Sequence, residues 1–328
     1  MKLIKALFIA ALMLAIGSST WLYWYANQPL DMGVLPKTFS ITPGTSLRGL
    51  AVQLHKSGVV KSPLTFRMLG RILGKSTGLK AGVYEITRPL TPLALYEKME
   101  RGEVAQAAVQ FIEGWNIREV RAALRQQDTL QHSSEAMSDE ELLAAIGATE
   151  AHVEGLFFPD TYFFAPHSSD IDILRRAYRA QRDKLALKWK DRAEGLPYRN
   201  PYEALIMASI IEKETGVTEE RSRIAAVFLN RLNQGMRLQT DPTVIYGLGV
   251  AFDGNLRKED LQRDTPYNSY TRSGLPPTPI AMPGAASLHA ALHPARSDAL
   301  YFVSRGNGTH IFSSTLEAHN RAVNRYQR

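Results

Sequence analysis

The stretch Asn200–Gly216, NPYEALIMASIIEKETG, reads as one helix. Asn200 is a good N-cap, Pro201 suits the first helical position, and Glu203 can reach back to close a capping box. Gly216 stands where a left-handed C-terminal cap is wanted. Ala204 to Ile211 carries no charge, and a helix apolar all round is a buried one. Yet it ends in Glu212, Lys213 and Glu214. Leu205, Ala208, Ser209 and Glu212 follow the i, i+3, i+4, i+7 rule and share a stripe, whereas Glu214 lies roughly 200° further round. One carboxyl is thus anchored at the end of a rigid helix. Burial disfavours a carboxyl's charged form, which is what a general acid needs at neutral pH. On pattern alone, a buried helix that frays into solvent through two capping glutamates is the favoured reading, because buried helices must end somewhere.

Working outward, the 328 residues suffice for two domains beyond any anchor, with 45% hydrophobic and 22% charged residues, as in globular proteins. No cysteine is present, which excludes disulfide and thiolate chemistry. The net charge of +7 suits an anionic polymer or lipid surface. No long basic run or nucleic-acid motif accompanies it, so no nucleic-acid partner is expected.

Lys2 and Lys5 precede Ala6–Tyr25, roughly 20 uncharged residues, long enough to span a bilayer. Trp21, Tyr23, Trp24 and Tyr25 form an aromatic belt at its far end. The positive-inside rule places the N-terminus in the cytoplasm and the rest outside it. No A-x-A cleavage site follows, so an uncleaved anchor is expected over 1–26. A linker over 27–37 leads to a strand at Thr38–Ile41, helices from Leu47 and from Ser62-Pro63, a strand at Gly82–Ile86 and a helix at Leu93–Arg101. This order predicts a small α+β module over 38–103.

A larger mixed α+β domain is expected over 104–328. It opens with a strand at Val104–Ile112 and short helices capped at Asn116 and Ser138. Gln126–Met137, largely polar, is expected to be a mobile loop. Glu154–Tyr162, EGLFFPDTY, is either ordinary core with a turn or the wall of a sugar cleft. An amphipathic helix follows at Ile171–Lys190. After the central helix, Thr218 is expected to cap Glu219–Asn233. Gln239–Thr243 and Tyr267–Pro279 are irregular and rich in polar and aromatic side chains. Leu300–Val303 and Thr309–Phe312 predict a hairpin around Gly306-Asn307-Gly308. His289 and His293 have metal-ligand spacing, but no zincin Glu follows His289 and no third ligand is evident, so no metal site is expected. No G-x-S-x-G, S-x-x-K, Walker or G-x-G-x-x-G pattern occurs.

The segments EGLFFPDTY, ASIIEKET, LQTDPTVIYG, YNSYTRSGLPPTPIAMPG and YFVSRGNGTHIFS, in this order after an N-terminal anchor, closely resemble the endolytic murein transglycosylases, the MltG (YceG-like) family. The match runs from about Thr38 to the end. The resemblance implies a LysM-like module before the catalytic domain, and it implies Glu212 as the catalytic residue. Gln239, Thr240, Asp241, Tyr246, Asn268 and Tyr270, in two of these segments, are then expected to line the substrate cleft near Glu212. The implied reaction cuts the bond from N-acetylmuramic acid to N-acetylglucosamine without water. The muramic C6 hydroxyl closes onto C1, leaving a 1,6-anhydro end and terminating strand growth. One carboxyl serves twice, and no cofactor is required. The implied partners are peptidoglycan glycan strands and the inner membrane, with peptidoglycan synthases as further candidates. The alternatives are a non-catalytic peptidoglycan-binding scaffold and a muramidase that uses water.

Overall fold

The computed structural model describes residues 2–75 and 78–327. Met1 and Arg328, the ends of the outermost expected segments, lie outside the described residues. The chain divides into two compact units, Met1–Ala107 and Ala108–Arg328.

The first unit begins with α1 (Lys2–Asn27). Its stretch Leu7–Asn27 has a mean hydropathy of 1.6, and its length and composition are compatible with a single membrane crossing. Strand β1 (Lys37–Ile41), helices α2 (Leu47–Lys56) and α3 (Pro63–Ile72), strand β2 (Gly82–Ile86) and helix α4 (Pro92–Arg101) follow. Ser46, Ser62 and Thr91 each accept a backbone N–H as N-caps, and Pro63 and Pro92 stand in the first turn. β1 and β2 pair antiparallel, Phe39 opposite Tyr84. Leu54, Phe66, Tyr84, Leu95, Tyr96 and Met99 close one core. The Tyr96 hydroxyl is paid for inside it by donating to the Phe66 carbonyl at 2.8 Å.

The second unit is mainly helical, with two small two-stranded sheets. β3 (Ala107–Gln110) pairs with β4 (Thr161–Phe164). The predicted strand shortens at both ends. Between these strands lie α5 (Ile117–Arg125) and α6 (Asp139–Ile146), each opened by a capping box. Then come α7 (Asp170–Lys190), α8 (Pro201–Glu214), α9 (Thr218–Asn233), α10 (Asp241–Leu248), α11 (Lys258–Gln262) and α12 (Ala285–Leu292). β5 (Tyr301–Ser304) and β6 (His310–Ser313) form an antiparallel hairpin, one residue later than expected, before α13 (Leu316–Tyr326).

α8 is the axis of this unit, packed by α7, α9, α10 and α12. Every residue from Ala204 to Ile211 is buried. Its N-terminus forms as expected in part: Asn200 accepts the Glu203 N–H, while Glu203 turns to the Arg199 N–H and guanidinium. Its C-terminus differs. Thr215 is extended and Gly216 is not left-handed. The Thr215 hydroxyl accepts the Val217 N–H at 3.0 Å, turning the chain straight into α9. There Thr218 lies inside the helix rather than capping it, because its hydroxyl accepts from Arg221.

The polar stretch expected to be mobile, Gln126–Met137, is tied down. Asp170, 1% exposed, accepts from the Ser134 N–H and hydroxyl, and Gln131 bridges to Ser169. Its partner lies 36 residues away, beyond any local pattern.

Candidate active site

The end of α8 is held by the loop before α12. The Ser209 hydroxyl donates to the Ile206 carbonyl and accepts the Ile280 N–H at 2.9 Å. That loop also grips the segment before α5: the Gly114 N–H donates to Met282, and the Met282 N–H donates to Trp115. These bonds set Gly284 against Glu212. The Gly284 N–H donates to Glu212 Oε2 at 2.8 Å, and Arg221 of α9 donates to Oε1 at 3.2 Å. The two side chains are only 5% and 10% exposed. Both oxygens are therefore oriented, one by a backbone donor and one by a guanidinium.

A second carboxyl faces the same glycine. A Cβ on Gly284 would come within 1.7 Å of Glu113 Oε1. Burial and the neighbouring Glu212 charge raise the Glu113 carboxyl above its ordinary range, against the pull of Arg221. Lys213, the next residue along α8, donates to the Gly114 carbonyl at 3.2 Å.

Glu214 occupies a different face, as the helical period predicts. Burial pushes its carboxyl up to about 7, opposed by the Thr240 hydroxyl that donates to it. It lines a cavity of about 550 Å³ together with Gln239, Thr240, Asp241, Tyr270 and Arg231. The Tyr270 hydroxyl donates to Asp241 at 2.6 Å. Ser269 accepts the Thr240 N–H at 3.0 Å, fastening the two irregular segments together. Four of the six residues expected near Glu212 thus meet instead at Glu214, on another face of α8.

The other two lie elsewhere. The Tyr246 hydroxyl donates to Glu154 at 3.0 Å, and Tyr246 lines a second cavity of about 410 Å³. Asn268 has no exposed surface. Its amide donates to the carbonyls of Asp260, Leu261 and Arg263, and its oxygen accepts the Tyr270 N–H. It braces the loop that carries Tyr270.

Arg221, Glu113, Gly284 and Glu154 were not singled out by sequence. Gly284 and Glu154 lie in motif segments that were, but nothing local marks their partners. Glu154 is buried, accepts the Ile117 N–H, and is pushed up to about 7 mainly by that burial. His289 and His293 stack on each other at 4.3 Å, and among the described residues no group of three potential ligands could hold a metal.

Comparison with known proteins places the chain in a family. The YceG-like family profile matches residues 39–325. A protein of Bacillus subtilis (strain 168) named endolytic murein transglycosylase is 32% identical over 88% of this chain and 84% of its own length. One of the same name from Streptococcus pneumoniae (strain ATCC BAA-255 / R6) is 27% identical over 87% of this chain, which spans 57% of that relative. The crystal structure of a yceG-like protein from Listeria monocytogenes is 31% identical, with a TM-score of 0.55, covering 88% of this chain and all of that one.

Proposed function

The chain belongs to the YceG-like family, and from that membership we infer that it is an endolytic murein transglycosylase whose catalytic residue is Glu212. The observation that carries the assignment is the Glu212 carboxyl, fixed at the end of a buried helix between a guanidinium and a backbone N–H. Protonated Glu212 gives its proton to the oxygen between muramic acid and glucosamine. Arg221 and the Gly284 N–H meet the carboxylate that this leaves, so charge develops where donors already wait. The carboxylate then takes the proton of the C6 hydroxyl as that oxygen closes onto C1. Ordinary glycosidases divide these duties between two carboxyls. Here the substrate supplies the nucleophile, and the products are a free 4-hydroxyl and a 1,6-anhydro end.

In the cell, α1 anchors the chain in the inner membrane, with Lys2 and Lys5 on the cytoplasmic side and the catalytic unit in the periplasm. There it cuts nascent strands internally and ends their growth, beside peptidoglycan synthases. The strand–helix–helix–strand order of the first unit suits a LysM-like glycan-binding module. The cleft includes Gln239, Thr240, Asp241, Tyr246 and Tyr270, with Asn268 as their support.

One observation favours a second reading, in which Glu214 is the acid: it lines the larger cavity and holds its proton to about pH 7. Paired variants decide. Glu212→Gln keeps the side-chain shape and loses the transferable proton, so cleavage of uncrosslinked glycan should fall at least a hundredfold, while Glu214→Gln should retain most of it. The reverse pattern, with both variants folded, would transfer the role to Glu214.

A further inference from the structure

The cavity of about 410 Å³ differs from its larger neighbour in charge. Arg118 and Lys213 line it, and no carboxylate does. Tyr246, Phe252 and Ile245 supply the apolar wall. The larger cavity contains Glu214 and Asp241. Lys213 spends its ammonium on an uncharged partner, the Gly114 carbonyl, and among the described residues neither cation pairs with a carboxylate. Glu154, behind the Tyr246 hydroxyl, feels the Arg118 charge but is kept from full ionisation by burial.

This cationic space adjoins the acid. A Cβ on Gly114, which lines it, would lie 3.7 Å from Lys213 Cδ and 3.9 Å from Glu212 Cγ. Neither Glu212 nor Glu113 lines the cavity: Glu212 is engaged with Arg221 and the Gly284 N–H, and Glu113 lies against Gly284.

Resting on the glycan-cleaving function above, we propose that this cavity is the subsite for the carboxylate borne by the ether side chain of muramic acid, and that it sets the register of cleavage. The two sugars of the strand share the same linkage and N-acetyl group. Only muramic acid carries an acid at O3, as the lactyl carboxylate itself or through the peptide extended from it. A cleft blind to the O3 substituent cannot tell the two alternating bonds apart. Two cations lining a space that adjoins Glu212 can, because glucosamine leaves them unpaired. The bond presented to Glu212 is then the one whose C1 and C6 belong to muramic acid, as closure of the anhydro ring demands.

Binding tests this without turnover. The disaccharide GlcNAc-MurNAc lacks the MurNAc-GlcNAc bond and cannot be cut there. Its affinity for the full-length chain in detergent, measured by calorimetry, is compared with that of its peptide-bearing form and of chitobiose, which is neutral. At least one muramic ligand should bind about tenfold tighter than chitobiose, the lower range for hydrogen bonds to charged groups. The advantage should shrink in Arg118→Gln, return in part in Arg118→Lys, and weaken in high salt. A gain already present in GlcNAc-MurNAc assigns the lactyl carboxylate, and one confined to the peptide-bearing form assigns the stem. Equal affinity for all three ligands, no binding by any, or an advantage untouched by Arg118→Gln in a variant that melts normally would overturn the subsite. Glycan that is not cut despite the expected binding pattern would instead strike the catalytic reading.

Discussion

Glu214 should make the stability of the fold depend on pH. Its carboxyl is held at about 7 in the fold, against an ordinary 4.5, chiefly by burial. The folded state therefore keeps a proton that the unfolded state releases between about pH 4.5 and 7. The sign follows: the group's contribution is full below about 4.5 and is lost as pH rises through 7. About 2.5 units at about 1.4 kcal/mol each gives roughly 3 kcal/mol. Glu214→Gln should imitate the protonated acid, with its amide oxygen still accepting from Thr240. Wild type and variant should melt together near pH 5. By pH 8 the variant should melt higher by about 6 °C or more, from roughly 2–4 °C per kcal/mol in a unit of this size. Thermal melts at both pH values are the assay. Two curves that stay parallel from pH 5 to 8 would refute the reasoning, since Glu154, which titrates in the same range, is unchanged in both proteins.

Asn268→Ala should cost about 3 kcal/mol, because it strands three backbone carbonyls in a site with no exposed surface; a Tm within 2 °C or so of wild type would contradict its bracing role. Gly155→Ala should destabilise by more than about 2 kcal/mol, for Gly155 has φ +78 and a Cβ there would meet Pro279 at 2.4 Å and the Ala281 carbonyl at 3.4 Å; urea titration checks it, and an unchanged midpoint counts against the packing. The N-terminal segment should be retained, so the chain should stay with membranes after a high-salt wash, whereas an intact mass starting beyond Ala26 would remove the anchor.

The central helix was legible because its signals are local. Asn200, Pro201 and the uncharged run to Ile211 mark a buried helix without help from the rest of the chain. The 3.6-residue period also separated Glu212 from Glu214. It could not say what each carboxyl meets. Arg221 arrives from the next helix and Gly284 from a loop 72 residues on. Gln239–Asp241 and Tyr270 could be grouped because their segments lie in family motifs, but their meeting at Glu214 depends on how α10 packs against α8. Asn268 misleads for a related reason: polar residues in irregular loops usually face water, yet this one supplies donors to a loop whose carbonyls have turned inward. The Gln126–Met137 stretch looked free because its tether, Asp170, opens a helix far along the chain.

The most direct test of the account is the fate of water in the reaction. Uncrosslinked glycan digested by the wild-type chain in heavy-oxygen water gives fragments that mass spectrometry can weigh. A cut in which the C6 hydroxyl is the nucleophile predicts anhydro ends about one water lighter than reducing ends, free of heavy oxygen, on fragments of mixed length. Reducing ends carrying the heavy oxygen would mean that water was the nucleophile, and the single-carboxyl mechanism built on Glu212 would be wrong.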